Sequence, residues 1–151
     1  MRKYINRSRI IIITTILTLC IYKVSKAQSL HFDGLYRAHI QDINYGTDEK
    51  PKFGKVYSYL RFYKDKVVID ASTAGSPKQV ADWLIKSGDF SKGTYKIQGS
   101  KISFSTTWEN VIVDYTGTIE NNGLTLNLHF YSHSNGYQKT EKFSFIKVSL
   151  K

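Results

Sequence analysis

The chain has 151 residues and a formal net charge of +10, from 22 Lys and Arg against 12 Asp and Glu. Six of the basic residues and none of the acids fall in the first 27 positions, so residues 28–151 carry 16 basic and 12 acidic side chains, net +4. Those lysines are interleaved with acids, as in Lys64-Asp65-Lys66 and Glu141-Lys142, so the clustered basic footprint of a nucleic-acid binder is missing and no nucleic-acid partner is expected. The only cysteine, Cys20, also lies in the first 27 residues, which excludes disulfides, thiolate metal sites and cysteine nucleophiles from the remainder.

Residues 1–27 read as a secretory signal peptide. Arg2, Lys3, Arg7 and Arg9 form the basic n-region, Ile10 to Tyr22 is a 13-residue mostly apolar run, and Ser25 and Ala27 stand at −3 and −1 of a cut before Gln28. The run is shorter than the roughly 17–25 apolar residues of a membrane span, and Lys23 and Lys26 close it. Cys20 follows Leu19, which is not the small residue that a lipid-attachment motif requires, so the cysteine is expected to leave with the leader. The protein is expected to be exported, to the periplasm or outside, and to meet a membrane only through an uncleaved leader or a lipid on Cys20.

Residues 28–151 are long enough to hold one domain with its own core. The first strand is expected at about Leu35–Ile40, followed by a polar loop from Gln41 to Gly54 containing Gly46, Pro51 and Gly54. Val56 to Ser72 (VYSYLRFYKDKVVIDAS) then reads as a hairpin turning at Lys64-Asp65-Lys66. Ser76 to Ser87 is the one helix: Ser76 as N-cap, Pro77 at the first helical position, Gln79 completing a capping box, and Val80, Trp83 and Leu84 as an apolar stripe before Gly88. Strands Thr94–Gln98 and Lys101–Thr107 flank Gly99-Ser100, and Val111–Ile119 and Leu124–His133 flank an Asn-Gly turn. Ser134-Asn135-Gly136 precedes a last strand, Lys142–Val148.

Alternation along these strands separates an apolar from a polar face. Leu124, Leu126, Leu128 and Phe130 oppose Thr125, Asn127, His129 and Tyr131, and Ile102, Phe104 and Thr106 oppose Lys101, Ser103 and Ser105. Eight hairpin-linked strands with one buried face predict an all-β fold, most simply an antiparallel up-and-down barrel with one short amphipathic helix, which removes exposed strand edges; an open, twisted sheet or a sandwich is the alternative.

The whole of 28–151 resembles the small secreted bacterial lipocalin-like proteins. Gly34-Leu35-Tyr36 stands where lipocalins carry Gly-x-Trp, with Tyr in place of Trp, and Lys147 is nearest to the position of the Arg that packs over that Trp. The helix falls between the third and fourth strands rather than after the last. The resemblance implies a small, mostly apolar ligand in the barrel mouth and no catalytic residues.

The expected barrel interior, and candidate ligand wall, is Tyr36, Leu60, Phe62, Phe104, Tyr115, Leu126, Leu128 and Phe130, with Val80, Trp83 and Leu84 of the helix as a lid. Tyr57, Tyr59, Arg61 and Tyr63 alternate with the inward residues and read as an outer surface patch. Trp108 is a further candidate for covering the mouth. No nucleophile elbow, metalloprotease helix, P-loop or dinucleotide fingerprint occurs, so neither catalysis nor a cofactor is expected. His129 and His133 share a strand face but lie about 13 Å apart, too far to ligate one metal. Glu109, Asp114 and Asp70 are read as surface or turn acids. The leading expectation is an exported, non-enzymatic binder of a small lipophilic molecule. The alternative is a packed structural or interaction module working through its outer surface.

Overall fold

A computed structural model describes residues 29–44 and 53–149. The expected leader with Cys20, and residues 45–52 of the expected loop, lie outside the described residues. Eight antiparallel strands close on themselves in chain order, and this is the up-and-down barrel that the alternation predicts. They are β1 (Gly34–Asn44), β2 (Phe53–Phe62), β3 (Val67–Thr73), β4 (Ser91–Gln98), β5 (Lys101–Trp108), β6 (Val111–Glu120), β7 (Thr125–Ser132) and β8 (Gln138–Lys147). One helix, α1 (Pro77–Trp83), joins β3 to β4. β1 and β2 extend further into the expected Gln41–Gly54 loop than composition suggests, because they pair with each other as far as Asn44 and Phe53.

The two ends of the barrel differ. The turns after β2, β4 and β6 share one end, where those after β2 and β6 lie beside the segment that enters β1. Asn121, Asn122 and Gly123 all have positive φ, and a Cβ on Gly123 would stand 2.0 Å from the Ser29 carbonyl oxygen. Leu30 is buried with the interior cluster, so the entering segment plugs this end. Tyr36 fixes it in place: its hydroxyl donates to Gly123 O at 2.7 Å and accepts from His31 N at 2.9 Å. Phe145 packs at a tilt on Tyr36 and stacks on His31 at 4.6 Å. Lys147, matched by the resemblance to a ring-packing arginine, instead points to Asp33 at 3.4 Å and is largely exposed. Phe145 packs on Tyr36 in its place. Gly34 is required beneath that ring, since a Cβ there would strike Ile146 O and the Phe145 ring.

The interior cluster contains Tyr36, Leu60, Phe62, Phe104, Tyr115, Leu126 and Leu128, all buried, with Phe130 packed against it. All eight residues expected inside therefore point inward. Phe62 lies edge-on to Tyr36, Tyr95 and Phe104, at 5.2–5.5 Å between centroids. Edge-to-face pairs of this kind add roughly 0.5–1.5 kcal/mol each beyond their buried area.

The helix is placed differently from expectation. Val80, Ala81 and Leu84 are buried with Leu35, Tyr59 and Ile69, residues whose side chains point out of the barrel wall, and Trp83 packs against the same group. α1 therefore lies on the outer face of β1–β3 and is not a lid over the mouth. The capping box forms as expected, with Ser76 Oγ accepting from Gln79 N and the Gln79 side chain accepting from Ser76 N. The helix stops at Trp83, short of the expected Ser87, because its C-terminal carbonyls are taken by β2. Arg61 Nη1 donates to Ala81 O at 3.1 Å and Leu84 O at 2.9 Å, and Tyr63 Oη donates to Leu84 O at 3.2 Å.

The expected surface patch is corrected with it. Tyr59 is fully buried and Arg61 only 7% exposed, while Tyr57 and Tyr63 are half-buried. Tyr59 Oη donates to Gly75 O at 2.8 Å, before the helix. Aromatic residues spaced along a strand give no sign in sequence of which neighbour will cover them. Replacing Arg61 with Met keeps the buried stem and removes two charge-assisted hydrogen bonds, so a loss of about 2–3 kcal/mol in urea unfolding is expected. A loss below about 0.5 kcal/mol would mean that the apolar stripe alone holds the helix.

Candidate functional site

At the other end of the barrel a cavity of about 250 Å³ opens among the inward-pointing residues. Tyr115 and Phe143, both almost fully buried, line it beside the packed core. Val113 and Phe130 form an apolar wall on β6 and β7, Ile40 closes the β1 side, and Tyr137 stands at the rim with its ring 5.7 Å from Phe130. Against these apolar groups stand Ser58 on β2, Asp70 and Ser72 on β3, Ser132 on β7 and Glu141 on β8.

Asp70 is the centre of the polar wall. It follows Val68 on the inward face of β3 and pairs in the ladders with Leu60 of β2 and Ser91 of β4. Tyr115 Oη donates to its Oδ2 at 2.7 Å, across the barrel, and Ser58 Oγ to its Oδ1 at a longer 3.4 Å. Burial pushes the Asp70 carboxyl up to about 6, against the two hydroxyl donors, which favour the charged form. Burial and the neighbouring carboxylate also push the Tyr115 hydroxyl far above the ordinary range, so Tyr115 is a donor at any working pH. No cation pairs with Asp70 among the described residues. Glu141, by contrast, forms an ion pair with Lys139, which lies two residues earlier on the same face of β8.

Of the eight residues expected to line a ligand site, Tyr115 and Phe130 reach this cavity. The other six fill the barrel below it or to one side. Sequence reading missed Asp70, Ser58, Ser72, Ser132 and Glu141 as cavity residues. The available signal was parity: Asp70 and Ser72 share the face of Val68, so β3 turns polar on its inward side towards one end. Val80, Trp83 and Leu84 are on the outer wall and do not touch the opening.

The remaining candidates fall outside the barrel. Asp114, although next to Tyr115, points outward, accepts from Ser105 Oγ and lies 2.7 Å from His133 Nε2. The Ser105 hydrogen bond, with help from His133, holds its carboxyl below the usual carboxylate range. Here the carboxylate stands between serine and histidine, so the group lacks the serine–histidine–carboxylate order of an activated nucleophile. Glu109 occupies the β5–β6 turn with φ of 50°. His129 contacts Thr140 at 3.3 Å on the outer face. Among the described residues no three His, Cys, Asp or Glu side chains converge as a metal site, and no helix is long and apolar enough to cross a membrane. No family model, curated protein or solved structure matches the chain.

The Asp70 environment has a pH signature. The native state keeps its proton to about pH 6, while the unfolded chain releases it near 3.8. Between those values the folded protein binds more protons, so this group makes stability fall as pH rises from about 4 to about 6. The total is on the order of 3 kcal/mol, at about 1.4 kcal/mol for each pH unit of that gap. Asp70→Asn keeps an acceptor for Tyr115 and removes the dependence. The variant should exceed the parent stability at pH 7.5 by up to about 3 kcal/mol and match it near pH 4. Urea unfolding at both values tests this; an equal difference at the two pH values would contradict it.

Proposed function

We propose that the protein is an exported, non-enzymatic binding protein of lipocalin-like build that takes a small molecule through the open end of its barrel. The single observation that supports this reading is the asymmetry of the interior. Among the described residues, one end is plugged by Leu30 and tied by Tyr36, while the other keeps a cavity of about 250 Å³ with apolar walls and a few convergent polar groups. That volume corresponds to about eight waters at roughly 30 Å³ each, so the ligand is smaller than the fatty acids and retinoids that an empty barrel would take. The basic, apolar and small-residue pattern of the first 27 residues supports export.

The second reading, a packed module acting through its outer surface, draws on the filled part of the interior. Tyr36, Phe62, Tyr95 and Phe104 pack edge-on to one another in the same buried cluster as Leu30 of the plug. The two readings part on a direct measurement. A panel of aromatic and aliphatic compounds of up to about ten non-hydrogen atoms is titrated into the protein by calorimetry, with Ser132→Phe as the control that fills the opening. Binding in the millimolar range or tighter is expected for the parent and at least tenfold weaker binding for the variant, with an unchanged far-ultraviolet dichroism spectrum. Failure of every compound to bind the parent, or binding that ignores Ser132→Phe, would move the function to the outer surface.

A further inference from the structure

We propose that the ligand is a small organic ammonium ion, a primary or secondary amine on an apolar body of about eight to ten non-hydrogen atoms, whose nitrogen meets the Asp70 carboxylate. This rests on the open-end cavity being a ligand site, and it names what that site selects.

The argument is one of charge. A carboxylate half-buried in a largely apolar wall is best compensated by a proton or a cation, which hydroxyl donors alone do not supply. Asp70 has two neutral donors, Tyr115 and Ser58, and no counter-charge among the described residues. The other acid of the cavity, Glu141, has its own cation in Lys139. A neutral lipophile entering this space displaces water from Asp70 and gives nothing in return. An anion meets the uncompensated carboxylate of Asp70. An ammonium group replaces the displaced water with donors and a charge, and its body lies along Val113 and Phe130. Tyr115, Phe130 and Tyr137 line the same space, and an aromatic face that meets a cation attracts it by roughly 0.5–2 kcal/mol.

The pH dependence follows. Among the described residues, the titratable and charged groups around Asp70 are Tyr115 from β6, Tyr137 from the β7–β8 turn, and Glu141 with Lys139 from β8; β2 and β4 present Ser58 and Ser91, which carry no charge. No histidine among the described residues lines the cavity. Burial holds the empty-site carboxyl at about 6, so a cation must displace a proton below that value. Amine affinity should therefore fall as pH drops through about 6, approaching tenfold per pH unit, while that of a neutral ligand should not change.

Three probes of one skeleton test this with the full chain: 2-phenylethylamine, 2-phenylethanol and phenylacetate, titrated by calorimetry at pH 7.5 and pH 5. The expected result is an amine at least tenfold tighter than the alcohol at pH 7.5, about tenfold weaker at pH 5, and phenylacetate weakest. Asp70→Asn, checked for folding by dichroism, is expected to bring the amine within about threefold of the alcohol. Should that variant not fold, the pH series on the parent decides alone. An alcohol or phenylacetate that binds as tightly as the amine would overturn the ammonium assignment and leave the cavity as a ligand site. Absence of binding by all three, and by the wider panel, would remove both.

Discussion

Closure of the barrel is the constraint on which the rest depends, and it is made almost entirely at one end. β1 meets β8 through four residue pairs, Gly34–Arg37 with Ser144–Lys147, and β3 meets β4 through four, Val67–Asp70 with Ser91–Thr94. The other ladders run to between six and eight pairs. Both short ladders lie at the plugged end. The ring of hydrogen bonds is therefore complete around Tyr36 and splits twice towards the opening. A shift of register between His39 and Gln41 interrupts the β1–β2 ladder as well. The cavity is where the splits are. Asp70 is the last paired residue before one of them, and Glu141 lies on β8 beyond the other. A carboxylate at these positions has access to water or ligand that it would not have one inward layer lower, among Phe62, Tyr95 and Phe104.

Packing and polarity divide the interior by the same logic. Below the splits, the inward positions are largely aromatic or aliphatic, with Thr106 and the glycines 34, 93 and 117 among them, and those glycines leave no room for a Cβ against the neighbouring strand. That half is built to native density, and its edge-on aromatic contacts specify one arrangement. Above them, serines take the inward positions: Ser58 on β2, Ser72 on β3 and Ser132 on β7. Their small side chains keep the space open, and their hydroxyls keep it wettable. The same strands thus carry large apolar residues towards one end and small polar ones towards the other.

Strand number and order were legible because period-two alternation and turn glycines act locally, whereas β1, β2 and β8 run several residues beyond the expected bounds. Leu126, Leu128 and Phe130 alternate, Gly99 and Gly123 take positive φ, and neither fact needs knowledge of distant residues. The inward set was legible for the same reason. The site was not, because it is made by what fails to pair. Nothing near Asp70 in sequence marks β3 and β4 as parting after four residues, and nothing near Glu141 marks the parting of β1 and β8. Expecting acids on the surface misplaces Asp70 because the rule describes averages, and the inward parity of Val68, Asp70 and Ser72 is the only local evidence against it.

The helix shows the same limit from the other side. Its caps and stripe are local, and Pro77–Trp83 forms much as they dictate. Where it docks depends on β2, whose outer face carries Tyr59, Arg61 and Tyr63 at every second residue. Four strand residues span about 13 Å and seven helical residues about 10 Å, so one strand face reaches both ends of the helix. Tyr59 takes Gly75 O before the first turn, and Arg61 and Tyr63 take the last carbonyls, where the helix dipole favours a cation. Tyrosine suits this task because its ring buries against Val80 and Leu84 while its hydroxyl still reaches a carbonyl. In sequence the same three residues read as a binding patch, since a side chain with an apolar body and a polar tip fits a ligand and a helix end equally well. The structure separates the two uses by location: the outer tyrosines hold α1, and Tyr115, pointing inward, holds Asp70.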